Sequence, residues 1–94
     1  MSKVREQAIE DAVCEWAEAR GWLVRKITYP GRRGAPDRHF YKGGRLVPVE
    51  FKRPGERPDG LQEKEHKRLR AAGFTVHVVT SFEQGVALLE TAGA

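Results

Sequence analysis

The sequence predicts an α/β sandwich, a mixed four-stranded sheet flanked by helices in the order αβββαβα. Three observations carry this. Apolar residues recur at helical spacing over residues 3–20, with Ile9, Val13 and Trp16 at i, i+4 and i+7. Two strand-like runs, 38–42 and 45–52, flank Gly43-Gly44, and glycine reaches the positive φ that a two-residue hairpin turn needs. A second helical stretch, 61–72, separates this hairpin from the run 74–80, rich in β-branched residues. The last strand therefore returns parallel to the third through a helical crossover.

In order along the chain, Ser2 is placed to cap the first helix and Gly21 to end it. At 100° per residue, Glu6 lies about 20° from Val13 and Glu10 about 60° from it. Glu6 thus borders the apolar stripe, where a carboxylate is costly unless paired or metal-bound. The macrodipole also favours an acid in a first turn. Asp11, Glu15 and Glu18 fall on the solvated face. Residues 22–29 read as the first strand, with Trp22 as core or as a contact between protomers. Pro30-Gly31-Arg32-Arg33-Gly34 is a loop with adjacent arginines, and arginine forks phosphate oxygens.

In the hairpin, Val47, Val49 and Phe51 point one way, and Pro48, Glu50 and Lys52 the other. Pro48 lacks the N–H that a paired strand uses. The face taken by His39 depends on a register that alternation alone leaves open. Residues 53–60 form a loop. Asp59 and Gln62 then match a capping box for the second helix, in which Leu61, Glu65, Arg68/Leu69 and Ala72 make only a thin inward stripe. His77 reads as a structural histidine. Ser81 and Gln84 match another capping box, with Phe82, Val86 and Leu89 as the buried side of the last helix.

The chemistry-bearing residues gather at the hairpin. Glu50 and Lys52 share a face about 6.6 Å apart, at ~3.3 Å per residue. The hairpin folds Asp37 back beside Glu50. Two carboxylates held close repel, and one pKa rises unless a cation lies between them. Mg²⁺, a hard ion with oxygen ligands that keeps waters and accepts phosphate, resolves this. A lysine there can orient or deprotonate water, or stabilise charge developing on a phosphate. The same residues also suit a surface hairpin carrying a Glu–Lys ion pair.

Composition agrees with a polyanion substrate. The 94 residues form one domain, 1–94, with 17 bases against 13 acids. Residues 21–58 hold ten bases and three acids, whereas both flanking segments are net acidic. A basic middle around an acidic pair brings polyanions to a metal. Arg32, Arg33, Arg38 and Arg53 are the expected nucleic-acid contacts. Cys14 is the single cysteine, which excludes an internal disulfide and a cysteine zinc cluster and fits a reducing cytoplasm. No signal peptide and no apolar run near 18 residues is present, so no membrane span is expected.

Pro36-Asp37 followed by Glu50-Phe51-Lys52 resembles the signature of the PD-(D/E)XK nuclease superfamily. The longer string, Gly34-Ala35-Pro36-Asp37, Val49 to Pro54, Leu61-Gln62, Leu69 to Phe74 and Val78-Val79, is similar to its virus-type replication-repair branch, VRR-NUC, over roughly residues 5 to 85. The resemblance implies a restriction-endonuclease-like core and a stand-alone phage or bacterial nuclease. It implies metal ligation by Asp37, Glu50, the Phe51 carbonyl and Glu6, with Glu10 as the alternate, and catalysis by Asp37, Glu50, Lys52 and Gln62. Where some relatives carry a tyrosine four residues after the glutamine, this chain has His66. The implied cofactor is Mg²⁺, with Mn²⁺ substituting. The implied substrate is branched DNA such as a four-way junction, cut by a homodimer. A flap- or end-directed nuclease and a non-catalytic nucleic-acid-binding module are the rival readings. The intact Asp37, Glu50 and Lys52 set argues against the last.

Overall fold

A computed structural model describes residues 2–93 of the chain, with side chains from residue 5 onward, so the expected Ser2 cap lies outside the side chains described. The elements run α1 (Ser2–Ala19), β1 (Leu23–Lys26), β2 (Arg38–Lys42), β3 (Arg45–Phe51), α2 (Gly60–Ala71), β4 (His77–Val79) and α3 (Phe82–Ala92). The sheet order is β1-β2-β3-β4. The first two pairings are antiparallel and the third is parallel, as the helical crossover predicts. Gly43 and Gly44, at φ of 57° and 79°, make the β2–β3 turn, and two consecutive positive φ values are the primed geometry that matches strand twist.

Period-two alternation gives the sheet two unlike faces. Val24, Phe40, Val47, Val49, Phe51 and Val79 point into one core with Val13, Cys14 and Ala17 of α1 and Leu89 of α3. Trp22, just ahead of β1, meets the Phe40 ring edge-on, with centroids 6.4 Å apart. Gly85 lets α3 close on α1, because a Cβ there would stand 2.7 Å from Val13 Cγ2. Gly85 and Leu89, rather than Phe82 and Val86, are therefore the buried pair of α3, and Phe82 is exposed.

Both helices over this core end on basic side chains, which satisfy carbonyls that lack partners within the helix. Arg20 donates to the Trp16 carbonyl at 3.2 Å, Lys42 to the Arg20 carbonyl at 2.9 Å, and Arg45 to the Ala92 carbonyl. The α3 cap differs in detail from the expected box. Ser81 Oγ accepts from Gln84 N, but the Gln84 side chain accepts from Thr80 N, one residue earlier.

The strands are shorter than predicted. β1 ends at Lys26, and β4 comprises three residues because its only neighbour is the end of β3. This shortness accommodates Pro48. Lys52 N donates to the Val79 carbonyl, so even-numbered residues of β3 direct their N–H toward β4. Pro48 lies one residue before the first pair, Val49 with His77, where no strand awaits a donor.

The opposite sheet face carries α2. This helix buries Glu65 and His66, and Leu61 is exposed. The thin inward stripe is thus polar: Gln62 reaches Glu50 of β3, and Glu65 meets Tyr29 of the loop that follows β1. Among the described residues no helix is long and apolar enough to cross a membrane.

Candidate active site

Asp37 immediately precedes β2, and Glu50 stands near the end of β3 on the face opposite the core. The register Arg38 with Val49 brings Asp37 level with Glu50. Asp37 is pinned by its own hairpin partner: its Oδ2 accepts from Phe51 N at 2.7 Å. The N–H and carbonyl of one residue in an antiparallel pair face the same neighbour. The Phe51 carbonyl therefore opens on the Asp37 side as well. Behind Asp37, Gly34 at φ +96° passes so close to α2 that a Cβ would meet the Leu61 carbonyl oxygen at 2.6 Å. A buried Pro36 then leads into the strand.

Glu50 is 1% exposed. Its Oε2 accepts from Gln62 Nε2 at 2.8 Å and faces Lys52 Nζ at 3.9 Å, whereas among the described residues no donor reaches the buried Oε1. The Gln62 amide is oriented by the capping box. Asp59 N donates to Gln62 Oε1 at 2.9 Å, and Gln62 N donates to Asp59 Oδ1 at 2.9 Å. The amide oxygen is thereby fixed to the cap, so the NH₂ must face Glu50. The two sequence readings of Gln62, helix cap and site residue, describe one side chain.

Burial, then the Asp37 charge beside it, push Glu50 up to about 8. Burial also raises Asp37, and the two carboxyl groups lie within hydrogen-bonding reach of each other. The donor set fits a hard divalent cation: two carboxylates, a main-chain carbonyl and an unused Glu50 oxygen. Among the described residues no three His, Cys, Asp or Glu side chains come together as a metal cage. An ion held here would complete its shell with water and substrate oxygens, which is how Mg²⁺ is usually held.

No family model matches the sequence. A solved structure described as "VRR_NUC domain" superposes with a TM-score of 0.84 at 41% identity, over 92% of this chain and 95% of that one. The chain belongs to the VRR-NUC family. It is also 40% identical over 82 residues to a protein of Acyrthosiphon pisum secondary endosymbiont phage 1 named "Putative nuclease p44", covering 86% of this chain and 88% of that protein. The mixed sheet with its three helices is the PD-(D/E)XK-like arrangement of VRR-NUC domains.

Within this VRR-NUC fold Asp37, Glu50, Lys52, Gln62 and Phe51 come together, and Glu6 stands at their margin. Burial raises Glu6, Glu56 and Asp37 add to the rise, and Lys52 opposes it. Glu10 is engaged differently, its Oε2 accepting from Arg38 Nε at 2.6 Å. Arg38 shares the core-facing parity of Phe40, so its guanidinium turns to α1 rather than to the expected phosphate. Arg32 and Arg33 are exposed on the loop before Asp37. That loop is held at Tyr29, whose hydroxyl donates to Glu65 Oε2 at 2.8 Å. Arg53 is paired with Glu56 at 2.6 Å. Two participants escaped the sequence reading, Glu56 and the Tyr29–Glu65 bond. The only signal for Glu56 was its spacing of three from Arg53 across Pro54-Gly55.

Proposed function

We propose that this chain is a Mg²⁺-dependent DNA endonuclease, with Mn²⁺ substituting, that hydrolyses phosphodiester bonds in branched DNA as a homodimer. The observation that carries the reading is the buried Asp37–Glu50 pair with Lys52 beside it and a Glu50 oxygen that no donor among the described residues reaches. A binding protein gains nothing from burying two acids where a phosphate must approach. The resemblance to a phage protein named as a nuclease supports the same reading.

In this reading Asp37, Glu50 and the Phe51 carbonyl would hold the ion, with Glu6 near them. When bound, the ion would supply Lewis acidity and lower the pKa of water. Lys52 would orient the attacking water for in-line displacement and balance charge on the phosphate. Gln62 fixes Glu50, and through the capping box it ties the site to α2. Arg32 and Arg33 take backbone phosphates, which position the duplex without reading bases. Recognition by shape follows, and a two-fold dimer would place two such sites on a four-way junction.

The test is cleavage of a labelled four-way junction beside a linear duplex, a single strand and a 5′ flap, with Mg²⁺ or EDTA. Symmetric nicks on the junction are expected. Lys52→Ala should lower the rate by about 10²- to 10³-fold, the usual worth of one positioned donor that stabilises developing charge. Cutting confined to flaps or ends would remove the junction from the proposal. Tight binding without cutting in any metal would overturn the enzyme reading.

A further inference from the structure

Between α1 and the loop leaving β3 lies a cleft of about 360 Å³ that the proposed mechanism does not use. It is lined by Arg5 of α1 and by Arg53, Pro54, Gly55 and Glu56 of the loop leaving β3. The loop is a built turn. Glu56 N donates to the Arg53 carbonyl at 3.0 Å, with Pro54 and Gly55, the latter at φ +84°, as its central pair. Proline then glycine with a positive φ is the type II arrangement, and it leaves little freedom.

This turn aims two donors of one residue at one point. Arg53 Nη2 donates to Glu56 Oε2 at 2.6 Å, and Arg53 N donates to Glu56 Oε1 at 3.4 Å. A carboxylate thus occupies a main-chain and a guanidinium donor together, which is the pattern that also receives a phosphodiester with its two free oxygens. Arg5 faces the same cleft from α1. The two walls of the cleft continue along the chain into residues at or near the site, since Lys52 precedes Arg53 and Glu6 follows Arg5. Glu6 feels Glu56, Lys52, Asp37 and Arg53 together.

Resting on the nuclease reading, we infer that this cleft is a second phosphate subsite, formed by Arg5 and Arg53, in which Glu56 holds the place of the DNA phosphate next to the scissile one. DNA binding exchanges one anion for the other. Exposed ion pairs contribute little net stability, and the Arg53 and Glu56 side chains are 37% and 31% exposed. The exchange therefore costs little, whereas each phosphate neutralised also releases counterions. Glu56 acts as a brake: it weakens binding to any polyanion that does not reach into the cleft.

The test is DNA binding in EDTA, where no turnover intervenes, with a fluorescent four-way junction and a duplex of the same sequence. Arg5→Ala and Arg53→Ala should each weaken binding about 5- to 10-fold and lower the salt slope by about 0.9. Glu56→Gln should tighten binding about 3- to 10-fold at low salt. That gain should vanish when Arg53→Ala is also present, and thermal melting checks that each variant is folded. Glu56→Gln that binds no better than the parent, or that keeps its gain without Arg53, overturns the subsite. So does a parent chain that binds neither DNA. If the variants behave as expected but no metal supports cutting, the nuclease reading falls and the subsite stands. If cutting proceeds and Arg5→Ala binds as the parent does, the reverse holds.

Discussion

Glu50 shows how one side chain can be poor for the fold and right for the site. Its pKa is raised in the folded chain from 4.5 to about 8, so the fold favours the protonated form. That stabilisation is present below the unfolded value near 4.5 and is lost as pH rises toward about 8. Without a divalent ion, Glu50→Gln should therefore stabilise the chain at pH 8 by at least about 1 kcal/mol, some 4–8 °C in Tm. The amide still accepts from Gln62 and donates to Asp37. Near pH 4.5 the gain should disappear. Melting curves in EDTA at the two pH values check this, and an unchanged or lower Tm at pH 8 would count against a repelling pair. Gln62 gives a second residue-scale prediction. Gln62→Ala loses the box and should cost about 0.5–2 kcal/mol. Gln62→Glu keeps the box, since glutamate serves at that position, but it replaces the donor to Glu50 with a like charge. With the cap kept, any loss of stability in urea should come from that repulsion and so be larger at pH 8 than near pH 5, while cleavage falls; stability and cleavage both equal to the parent's would mean that Gln62 is a cap alone.

At the scale of elements, α2 is the unusual piece. It turns no apolar residue fully inward, and its ties are the Tyr29–Glu65 bond, the Gln62–Glu50 bond and the close pass of Gly34. Gly34→Ala meets both the Leu61 carbonyl and a left-handed φ, so it should cost about 1–3 kcal/mol. Because that loop carries Asp37, cleavage should drop more than stability does, which parallel urea melts and rate measurements would reveal. This arrangement also explains which parts of the chain were legible in sequence. Val47, Val49 and Phe51 alternate cleanly because one face of β3 is buried in hydrocarbon, and Gly43-Gly44 fixes the register that brings Asp37 to Glu50. The buried side of α2 was illegible because its inward residues are Glu65 and His66, which read as solvated. Gly85 was passed over for Val86 because close helix contact selects the absence of a side chain, which periodicity does not register. Arg38 read as a DNA contact because charge near the motif was all that could be seen. Its pairing with Glu10 depends on the parity of β2 and the lie of α1.

For the whole molecule, the division of labour between the sheet faces predicts how acid acts. Helices α1 and α3 cover the apolar face, while the polar face holds the site, with His39 opposite Pro48 and His66 on α2. Burial lowers the pKa of His39, His66 and His77 alike. A histidine lowered in the fold binds its proton more readily in the unfolded chain. The fold therefore loses stability as pH falls below the unfolded value near 6.5. The carboxyl pair pulls the other way over the same range, because protonating it relieves burial and repulsion. In EDTA the parent chain should thus show a shallow dependence between pH 5 and 7, with two slopes partly cancelling. Glu50→Gln removes the larger opposing part and should expose the histidines: its urea midpoint should rise steadily from pH 5 to 7, more steeply than the parent's. Adding His66→Asn to that background should flatten the rise. Equal slopes in the parent and Glu50→Gln would mean that the two carboxyls do not oppose each other in the folded chain, and that their convergence has no electrostatic cost for a cation to relieve.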